Sequence, residues 1–299
     1  MTAREARRLA ADPAVEYVEQ DQVVRAHTTQ TNAPFGLDRI DQRALPVNGT
    51  YSYTSTGLRT RAYVIDTGIR ATHTEFAGRT CAGYDAVDND TVPQDDNGHG
   101  TAVASLIAGR VNGVAKQALV CGVRVLNGTG GGTTAGVIAG IDWVARNHVK
   151  PATANLSLGG GASTALDDAV RRLIAAGVTA SVTAGGSASD AANYSPARVR
   201  EALTSGAATR TDTRATFSNY GAVVDVYAYG MNITVAWHTG DTATNTISGT
   251  SLSTAYVTGV TLRFLQLNPT ATPAQVHSAV VTEATPLSWG RLLYWSPSR

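Results

Sequence analysis

The chain has 299 residues, of which 43% are hydrophobic and 16% charged, and it contains 30 glycines. This composition supports a sizeable hydrophobic core and excludes a globally disordered chain. The formal net charge is +1, without a basic stripe or an acidic tail, so nucleic acid and anionic membranes are excluded as expected partners.

The first 26 residues differ in pattern from the rest of the chain. The sequence predicts a short charged helix over 3–11 and a stretch of alternating polar and apolar residues over 14–24. A polar linker, AHTTQTNAP, follows, and a boundary is predicted near Ala26. The N-terminus has no apolar signal-peptide core, and no apolar run approaches the ~18 residues of a membrane span. We therefore expect neither a secretion signal nor a membrane segment in this sequence.

Beyond the linker, strand-like apolar runs alternate with helical patterns. The runs that predict strands are 61–66, 118–126, 153–158, 178–186, and shorter stretches near 202–208 and 223–228. The patterns that predict helices are 100–109, 133–148 and 163–177, with two more starting at about 250 and 272. This alternation predicts a mostly parallel α/β sheet, in which chemistry gathers at the carboxyl ends of the strands.

Three residues at strand ends or helix starts form a candidate catalytic set. Asp66 ends a strand in VIDTGI, His99 lies in NGHGT, and Ser251 lies in SGTS. Each alone fits an ordinary role, as a turn aspartate, a structural histidine or a helix-capping serine. Together they supply a nucleophile, a base and a carboxylate that orients the base. Their order excludes an α/β-hydrolase, which runs serine, acid, histidine and carries a G-x-S-x-G elbow that this chain lacks. His73, in ATHTEF, is an alternative base.

Six ordered blocks, VIDTGI, NGHGT, NLSLGGG, NYSPA, FSNYG and SGTS, resemble the motifs of subtilisin-like serine proteases of peptidase family S8. The resemblance covers about 35–299 and is greatest to the proteinase K and aqualysin branch. It implies a three-layer α/β sandwich, in which a central, mostly parallel sheet has helices on both faces. It also implies the triad Asp66, His99 and Ser251, a polypeptide substrate, a monomeric enzyme and a secreted, extracellular location.

The resemblance divides the chain into two parts. Residues 1–26 are similar to the tail of an inhibitory propeptide of the I9 type, and 27–299 to the peptidase domain. A propeptide of this kind occupies the substrate groove of its own enzyme and is cut by it. We therefore expect autoprocessing near residues 25 to 28.

The resemblance also implies where the substrate binds. An extended peptide would lie between two segments, and the residues predicted to contact it are Leu156, Ser157, Leu158, Gly159, Gly160, Ala184 and Gly185. The strip 184–186 would line the pocket for the residue before the scissile bond. The glycine-rich loop 127–133 would flank the more distant subsites.

One departure from the family concerns the oxyanion hole. Members of the family usually carry an asparagine side-chain donor at the position of Gly186, and glycine has none. The backbone N–H of Ser251 remains, and Ser187 or Asn193 are alternative donors. After the nucleophile, Ala255-Tyr256 replaces the usual Pro-His pair.

These departures leave several functions open. The first is a serine endopeptidase whose activity is weakened by the missing oxyanion donor. The second is a catalytically degenerate homologue that acts as a peptide-binding or inert module. A third is an esterase or other hydrolase that uses the same triad. Only turnover separates these hypotheses, since all of them retain the same groove.

A structural calcium ion is a further expectation from the resemblance. Asp225 matches a calcium-binding carboxylate, which would act with the backbone carbonyls of Arg200 and Ala202. The alternative is a strand aspartate that is paired with an arginine. An acidic loop that contains Asp88, Asp90, Asp95 and Asp96 fails the EF-hand spacing and is predicted to be solvated. The cysteines Cys81 and Cys121 lie outside the positions that form disulfides in the related branch, and we expect buried free thiols.

Overall fold

The fold is taken from a computed structural model, which describes residues 1–19 and 28–298. The helices are α1 Ala3–Ala10, α2 Phe35–Asp38, α3 His99–Ala108, α4 Thr134–Asn147, α5 Thr164–Ala175, α6 Thr250–Leu267 and α7 Pro273–Glu283, with a 3₁₀ turn at Ala191–Asn193. The strands are β1 Thr28–Thr31, β2 Thr50–Tyr53, β3 Arg61–Asp66, β4 Thr80–Asp85, β5 Leu119–Arg124, β6 Ala152–Leu156, β7 Gly160–Gly161, β8 Thr179–Thr183, β9 Tyr194–Ser195, β10 Leu203–Ala208, β11 Val226–Tyr229, β12 Ile233–Ala236, β13 Thr244–Ile247, β14 Thr285–Leu287 and β15 Gly290–Leu292.

A central sheet organises this part of the chain. Its strand order is β14-β15-β11-β10-β8-β6-β3-β5-β4, and every pairing is parallel except that between β14 and β15. Parallel neighbours require crossover connections, which the helices between the strands provide. The prediction of a mostly parallel α/β sheet is confirmed.

Helices cover both faces of the sheet, as the alternation along β3 illustrates. Ala62 and Val64 belong to the core cluster that contains residues of α3 and α6, whereas Tyr63 and Ile65 belong to the cluster that contains residues of α4 and α5. Successive strand residues point to opposite faces, so a strand buried on both faces is apolar throughout. The result is the predicted three-layer sandwich, with α6 buried along most of its length.

The topology brings several chain segments to one edge of the sheet. Asp66 is the last residue of β3, and the central strands β6 and β8 end at Leu156 and Thr183. Helices α3 and α6 begin at His99 and Thr250. Because parallel strands have their carboxyl ends at the same edge, residues that are far apart in sequence form one surface there.

The prediction of free thiols is wrong, because Cys81 and Cys121 form a disulfide. The cause is strand register: β4 pairs with β5 in parallel and places these two residues directly opposite each other, with their Cα atoms 4.8 Å apart. That separation lies within the range that a disulfide spans. The bridge joins the edge strand of the sheet to its neighbour.

The prediction of a solvated acidic loop is right for Asp88, Asp90 and Asp96, which are exposed, and wrong for Asp95. Asp95 is buried and accepts hydrogen bonds from the Thr67 hydroxyl and from backbone N–H groups of Asn97, Gly98 and Thr101. The carboxylates of Asp88 and Asp96, together with Asp85, surround the buried guanidinium of Arg124. Buried carboxylates need such partners, since burial without them is costly.

At the N-terminus, α1 confirms the predicted charged helix. Thr2 and Glu5 form a capping box, and none of the helix residues is buried. The predicted boundary at Ala26, and residues 20–24 of the alternating stretch, lie outside the described residues. None of the helices in residues 1–19 and 28–298 is long and apolar enough to cross a membrane.

Candidate active site

The best-defined contact of the site joins Asp66 and His99. The Asp66 carboxylate is fully buried, and its Oδ1 lies 2.7 Å from His99 Nδ1 and accepts the Thr67 backbone N–H at 2.8 Å. An ionised carboxylate accepts only, so Nδ1 carries the proton and Nε2 keeps its lone pair. The pair therefore presents a base whose tautomer is fixed by the carboxylate.

The loop before α3 holds His99 in this position. Gly98 has φ 112°, a left-handed conformation that favours glycine, and its Cα faces Trp237 and His238 so closely that no side chain fits. The Asp95 carboxylate fixes the turn through the N–H groups described above. Sequence reasoning missed Asp95 as a positioning residue, because its role consists of contacts with backbone groups and a hydroxyl that no motif specifies.

The environment changes the pKa of His99. Burial lowers it, but the charge of Asp66, its hydrogen bond and the charge of Asp95 raise it by more, so the pKa lies above its ordinary value of 6.5. A neighbouring carboxylate favours the imidazolium. The proton-accepting form of His99 therefore predominates only at a pH above that ordinary value.

We expect the acid limb of the pH profile of kcat/KM to reflect this shift. Activity requires neutral His99, so kcat/KM should rise with pH, with its midpoint above pH 6.5. Asp66→Asn removes the main cause of the raised His99 pKa. It should lower the rate and move the remaining acid limb of the profile to lower pH. The measurement is kcat/KM for a peptide anilide from pH 5 to 9. An acid limb at or below pH 6.5 in the wild type would contradict this reading.

Ser251 lies in the first turn of α6 and is anchored to the end of β6. Its hydroxyl donates to the Ser157 backbone carbonyl at 3.2 Å, and the Ser157 hydroxyl donates to the Ser251 carbonyl at 3.1 Å. His99 and Ser157 line the same cleft. The structure therefore joins Asp66 and His99 directly and brings Ser251 to the same cleft through Ser157.

A buried hydrogen-bond chain holds the Ser157 side chain in position. The Thr258 hydroxyl donates to Asn155 Oδ1 at 2.8 Å, and Asn155 Nδ2 donates to the Ser157 hydroxyl at 2.8 Å. Thr258 and Asn155 are both fully buried. Because every link is satisfied by the next, the first turn of α6 has a defined position relative to the strand end.

The cleft has a volume of about 660 Å³ and runs between two glycine-rich segments. One wall is 157–161 and the other is 129–134. These walls contain the predicted substrate-binding residues Ser157 to Gly160 and most of the predicted flanking loop. β7 pairs with β9 in the antiparallel sense, and Gly160 and Gly161 have open space at the position of a Cβ atom. An extended peptide fits such a groove, which is open and lined by backbone groups.

The segment 184–186 is held from below by Asn219. Its Nδ2 donates to the Ala184 carbonyl, and its Oδ1 accepts the Ser187 backbone N–H. Gly185 has φ 98° and contacts the same asparagine closely, so this position favours glycine. Of the two alternative oxyanion donors, Ser187 follows this segment directly, and Asn193 is exposed at the end of a 3₁₀ turn.

Gly186 is the exposed residue of this segment. Unlike Gly185, it does not have a positive φ. A Cβ atom added there would meet only Phe217 Cδ2, at 4.0 Å. The backbone and the space at this position therefore accept an ordinary side chain.

The alternative base His73 is engaged elsewhere. It is buried, its Nε2 lies 3.0 Å from the Ala243 carbonyl, and its Nδ1 accepts the Glu75 backbone N–H. With both ring nitrogens occupied, it has no lone pair to offer a nucleophile.

The Asp225 carboxylate, the predicted side-chain ligand of calcium, is engaged as well. Asp225 Oδ2 accepts the Thr204 backbone N–H at 2.8 Å, and Oδ1 lies 3.3 Å from His277 Nε2. The salt bridges of the described residues pair Asp225 with His277 and not with an arginine, so the alternative pairing with an arginine does not form. Calcium prefers oxygen ligands. With an imidazole at one carboxylate oxygen and a backbone N–H at the other, the observed arrangement fits the ion poorly.

Comparisons with known proteins agree on one family. The model of the subtilase family, Peptidase S8, matches residues 63–293. An extracellular serine proteinase of Thermus sp. (strain Rt41A) is 57% identical over 283 residues, which are 95% of this chain and 69% of that protein. Alkaline serine exoprotease A of Vibrio alginolyticus is 49% identical over 93% of this chain, which spans 53% of that relative. The crystal structure of a cold adapted subtilisin-like serine proteinase superimposes on this chain with a TM-score of 0.86 and 49% sequence identity. The superposition covers 88% of this chain and 98% of the chain in that crystal structure.

Proposed function

This chain belongs to the subtilase family of serine endopeptidases, and from that premise we propose that it cleaves polypeptides through an acyl-enzyme on Ser251. The observation that carries the proposal is the buried Asp66 carboxylate, hydrogen-bonded to His99 Nδ1 beside the cleft, which is also lined by Ser157, the hydrogen-bond partner of Ser251. We further propose that the chain belongs to the proteinase K and aqualysin branch. Its action on extracellular proteins, as a secreted monomer, is part of the same proposal.

The mechanism follows from the geometry of these groups. When a peptide enters the cleft, the Ser251 hydroxyl turns from the Ser157 carbonyl towards His99 Nε2, which accepts its proton. Ser251 Oγ attacks the scissile carbonyl carbon, and the resulting oxyanion lies near the N-terminus of α6, where the Ser251 N–H and the helix dipole favour negative charge. Protonated His99, stabilised by Asp66, gives the proton to the leaving amine. Water, activated by the same base, then releases the acid from Ser251.

Labelling with a fluorophosphonate tests the first step directly. Such probes phosphonylate a serine whose proton is removed by an adjacent base. We expect one label on Ser251 in the wild type and no label in Ser251→Ala. A folded wild-type protein that stays unlabelled would refute the acyl-enzyme mechanism.

The competing function is a peptide-binding or inert module, and the glycine at position 186 favours it. Loss of one oxyanion donor costs about 100- to 1000-fold in turnover, a magnitude measured on subtilisin itself. That loss still leaves a large acceleration over the uncatalysed reaction, because the triad supplies most of it. Weak endopeptidase activity is therefore the first function to test, and complete absence of turnover with peptide binding intact would favour the module.

We propose that residues 1–26 are the remnant of an inhibitory propeptide and 27–299 the peptidase domain. Cleavage near residues 25 to 28, most of which lie outside the described residues, is expected if the enzyme processes itself. The intact mass and N-terminal sequence of purified wild type and Ser251→Ala give the measurement. The wild type should lose its N-terminal segment and Ser251→Ala should retain it. The same intact N-terminus in both proteins, with activity in the wild type, would contradict the assignment of this segment.

Calcium binding at Asp225 stays a prediction of the family resemblance. It predicts that calcium raises the melting temperature over a chelator control, and that Asp225→Asn abolishes the increase. Because His277 contacts the same carboxylate, His277→Ala should enlarge the increase. Equal melting temperatures with calcium and with chelator, in the wild type and in His277→Ala, would rule the site out.

A further inference from the structure

A buried arginine joins the substrate cleft to the edge of the sheet. Arg124 is the last residue of β5, and the chain after it leads into the glycine-rich wall of the cleft, 129–134. Its side chain is only 8% exposed, and the guanidinium donates from Nη1 to Asp85 and Asp88 and from Nη2 to Asp96. We call these four residues the Arg124 cluster.

Asp96 is the member of this cluster that lies against the cleft. Its carboxylate packs on Gly128, where an added Cβ atom would lie 3.0 Å from Asp96 Oδ2. The next residue, Asn97, donates from Nδ2 to the Gly128 carbonyl at 3.0 Å, and its Oδ1 accepts the His99 backbone N–H at 3.2 Å. The turn that contains Asp96 therefore contacts both the base of the glycine-rich wall and the catalytic histidine.

The loop 127–133, which forms most of that wall, depends on this contact for its position. All of its residues are exposed, and backbone N–H groups within it donate to the Asn127 side chain. Among the hydrogen bonds of the described residues, the one from Asn97 to Gly128 joins the loop to a distant segment, and the others stay within it or reach the first turn of α4. A loop so rich in glycine has little stiffness of its own.

From these contacts we propose that Asp96, held by Arg124, is a positioning residue that sets where the glycine-rich wall stands relative to His99. The inference rests on the proposed function, in which a peptide occupies this cleft. A hydrogen bond between a carboxylate and a guanidinium is strong and directional, so it can fix a turn. The wall is expected to contact substrate residues distant from the scissile bond. Asp96 should therefore affect the binding of long peptides, and not the chemistry at Ser251.

Peptide binding to Ser251→Ala tests the proposal without requiring turnover. We expect Asp96→Ala, added to that variant, to raise the Kd of a peptide with four residues before the scissile position by roughly three- to tenfold. Asp88→Ala is the matched control and should leave this Kd unchanged. Asp88 pairs with the same guanidinium and is 61% exposed, against 53% for Asp96, but its turn does not line the cleft.

Kinetics of the catalytically intact chain separate positioning from a general loss of structure. Asp96→Ala should raise KM for a tetrapeptide nitroanilide by the same factor and leave its kcat unchanged. The rate for an activated ester of a single amino acid, which does not reach the wall, should also stay unchanged. Asp96→Asn keeps an acceptor oxygen for Arg124 and should raise KM less than Asp96→Ala does.

Three results would overturn the proposal. The long peptide could bind Asp96→Ala as tightly as its parent, Asp88→Ala could weaken binding equally, or the short ester could lose as much rate as the tetrapeptide. Binding that changes as expected in a wild type without turnover would refute the peptidase function and support the inference about the wall. Absence of any peptide binding to Ser251→Ala would overturn the inference, while turnover of the tetrapeptide by the wild type would still support the peptidase function.

Discussion

Ser251→Ala is expected to lower kcat for peptide hydrolysis by about 10³- to 10⁴-fold. In subtilisin, loss of the nucleophile costs roughly 2 × 10⁶-fold, and loss of the oxyanion asparagine about 100- to 1000-fold. In our proposal Gly186 lacks that donor, so the wild-type rate lies nearer to the residual rate, and the decrease on removing Ser251 is correspondingly smaller. The measurement is kcat and KM for a peptide nitroanilide, with the melting temperature as a check on folding.

The interdependence of Ser251 and His99 provides the control. His99→Ala should cost about as much as Ser251→Ala, and the double variant little more than either, because the two groups act as one unit. KM should change little, since the two segments expected to bind an extended peptide, 129–134 and 157–161, contain neither residue. If the two single variants instead had additive effects, or if Ser251→Ala kept the wild-type rate, the acyl-enzyme mechanism would be wrong.

The central strands and the helices were predictable from sequence because their patterns are regular. β3 is apolar from Ala62 to Ile65 because it is buried on both faces, and α4 repeats apolar residues at helical spacing. The edge strand β4, TCAGYD, was missed, because four of its six residues are only partly buried or exposed and give no continuous apolar run. The short hairpin of β12 and β13 was missed for a similar reason, since β13 is polar and exposed.

The disulfide illustrates a different limit. Whether Cys81 and Cys121 meet depends on the register between β4 and β5, and a shift of one residue would place the side chains on opposite faces. Sequence patterns set which faces are apolar, but β4 has a weak pattern and therefore a register that sequence does not specify.

The candidate triad was predictable because each member lies in a local motif at a strand end or helix start. The contacts that hold these three residues in position were not predictable. Asp95 acts on backbone N–H groups, and Thr258 reaches Ser157 only through Asn155, so neither role appears as a spacing in the sequence. Contacts of this kind decide how well the reacting atoms are positioned, and they require coordinates.

In our proposal, catalysis is weak because position 186 has a glycine in place of an asparagine donor. The open space around Gly186 allows this explanation to be tested by substitution. The residue lies outside the left-handed region and its Cβ position is open, with Phe217 at 4.0 Å as the nearest contact. The Cβ atom of an asparagine there therefore meets no clash, and the backbone imposes no left-handed strain on it. The glycine it replaces is also the costlier residue to order on folding, so the melting temperature should not fall.

Gly186→Asn is expected to raise kcat by about 100-fold and to leave KM nearly unchanged. The amide donor acts on the negative charge that develops on the carbonyl oxygen, so its effect appears in the transition state and not in substrate binding. Gly186→Leu is the matched control, since leucine resembles asparagine in shape but cannot donate, and Gly186→Ala controls for backbone stiffening. Both should keep the wild-type kcat. An equal gain in the leucine variant would assign the effect to packing. No gain in a stable asparagine variant would mean that another group already stabilises the oxyanion, or that the sequence changes at Ala255 and Tyr256 misplace the first turns of α6.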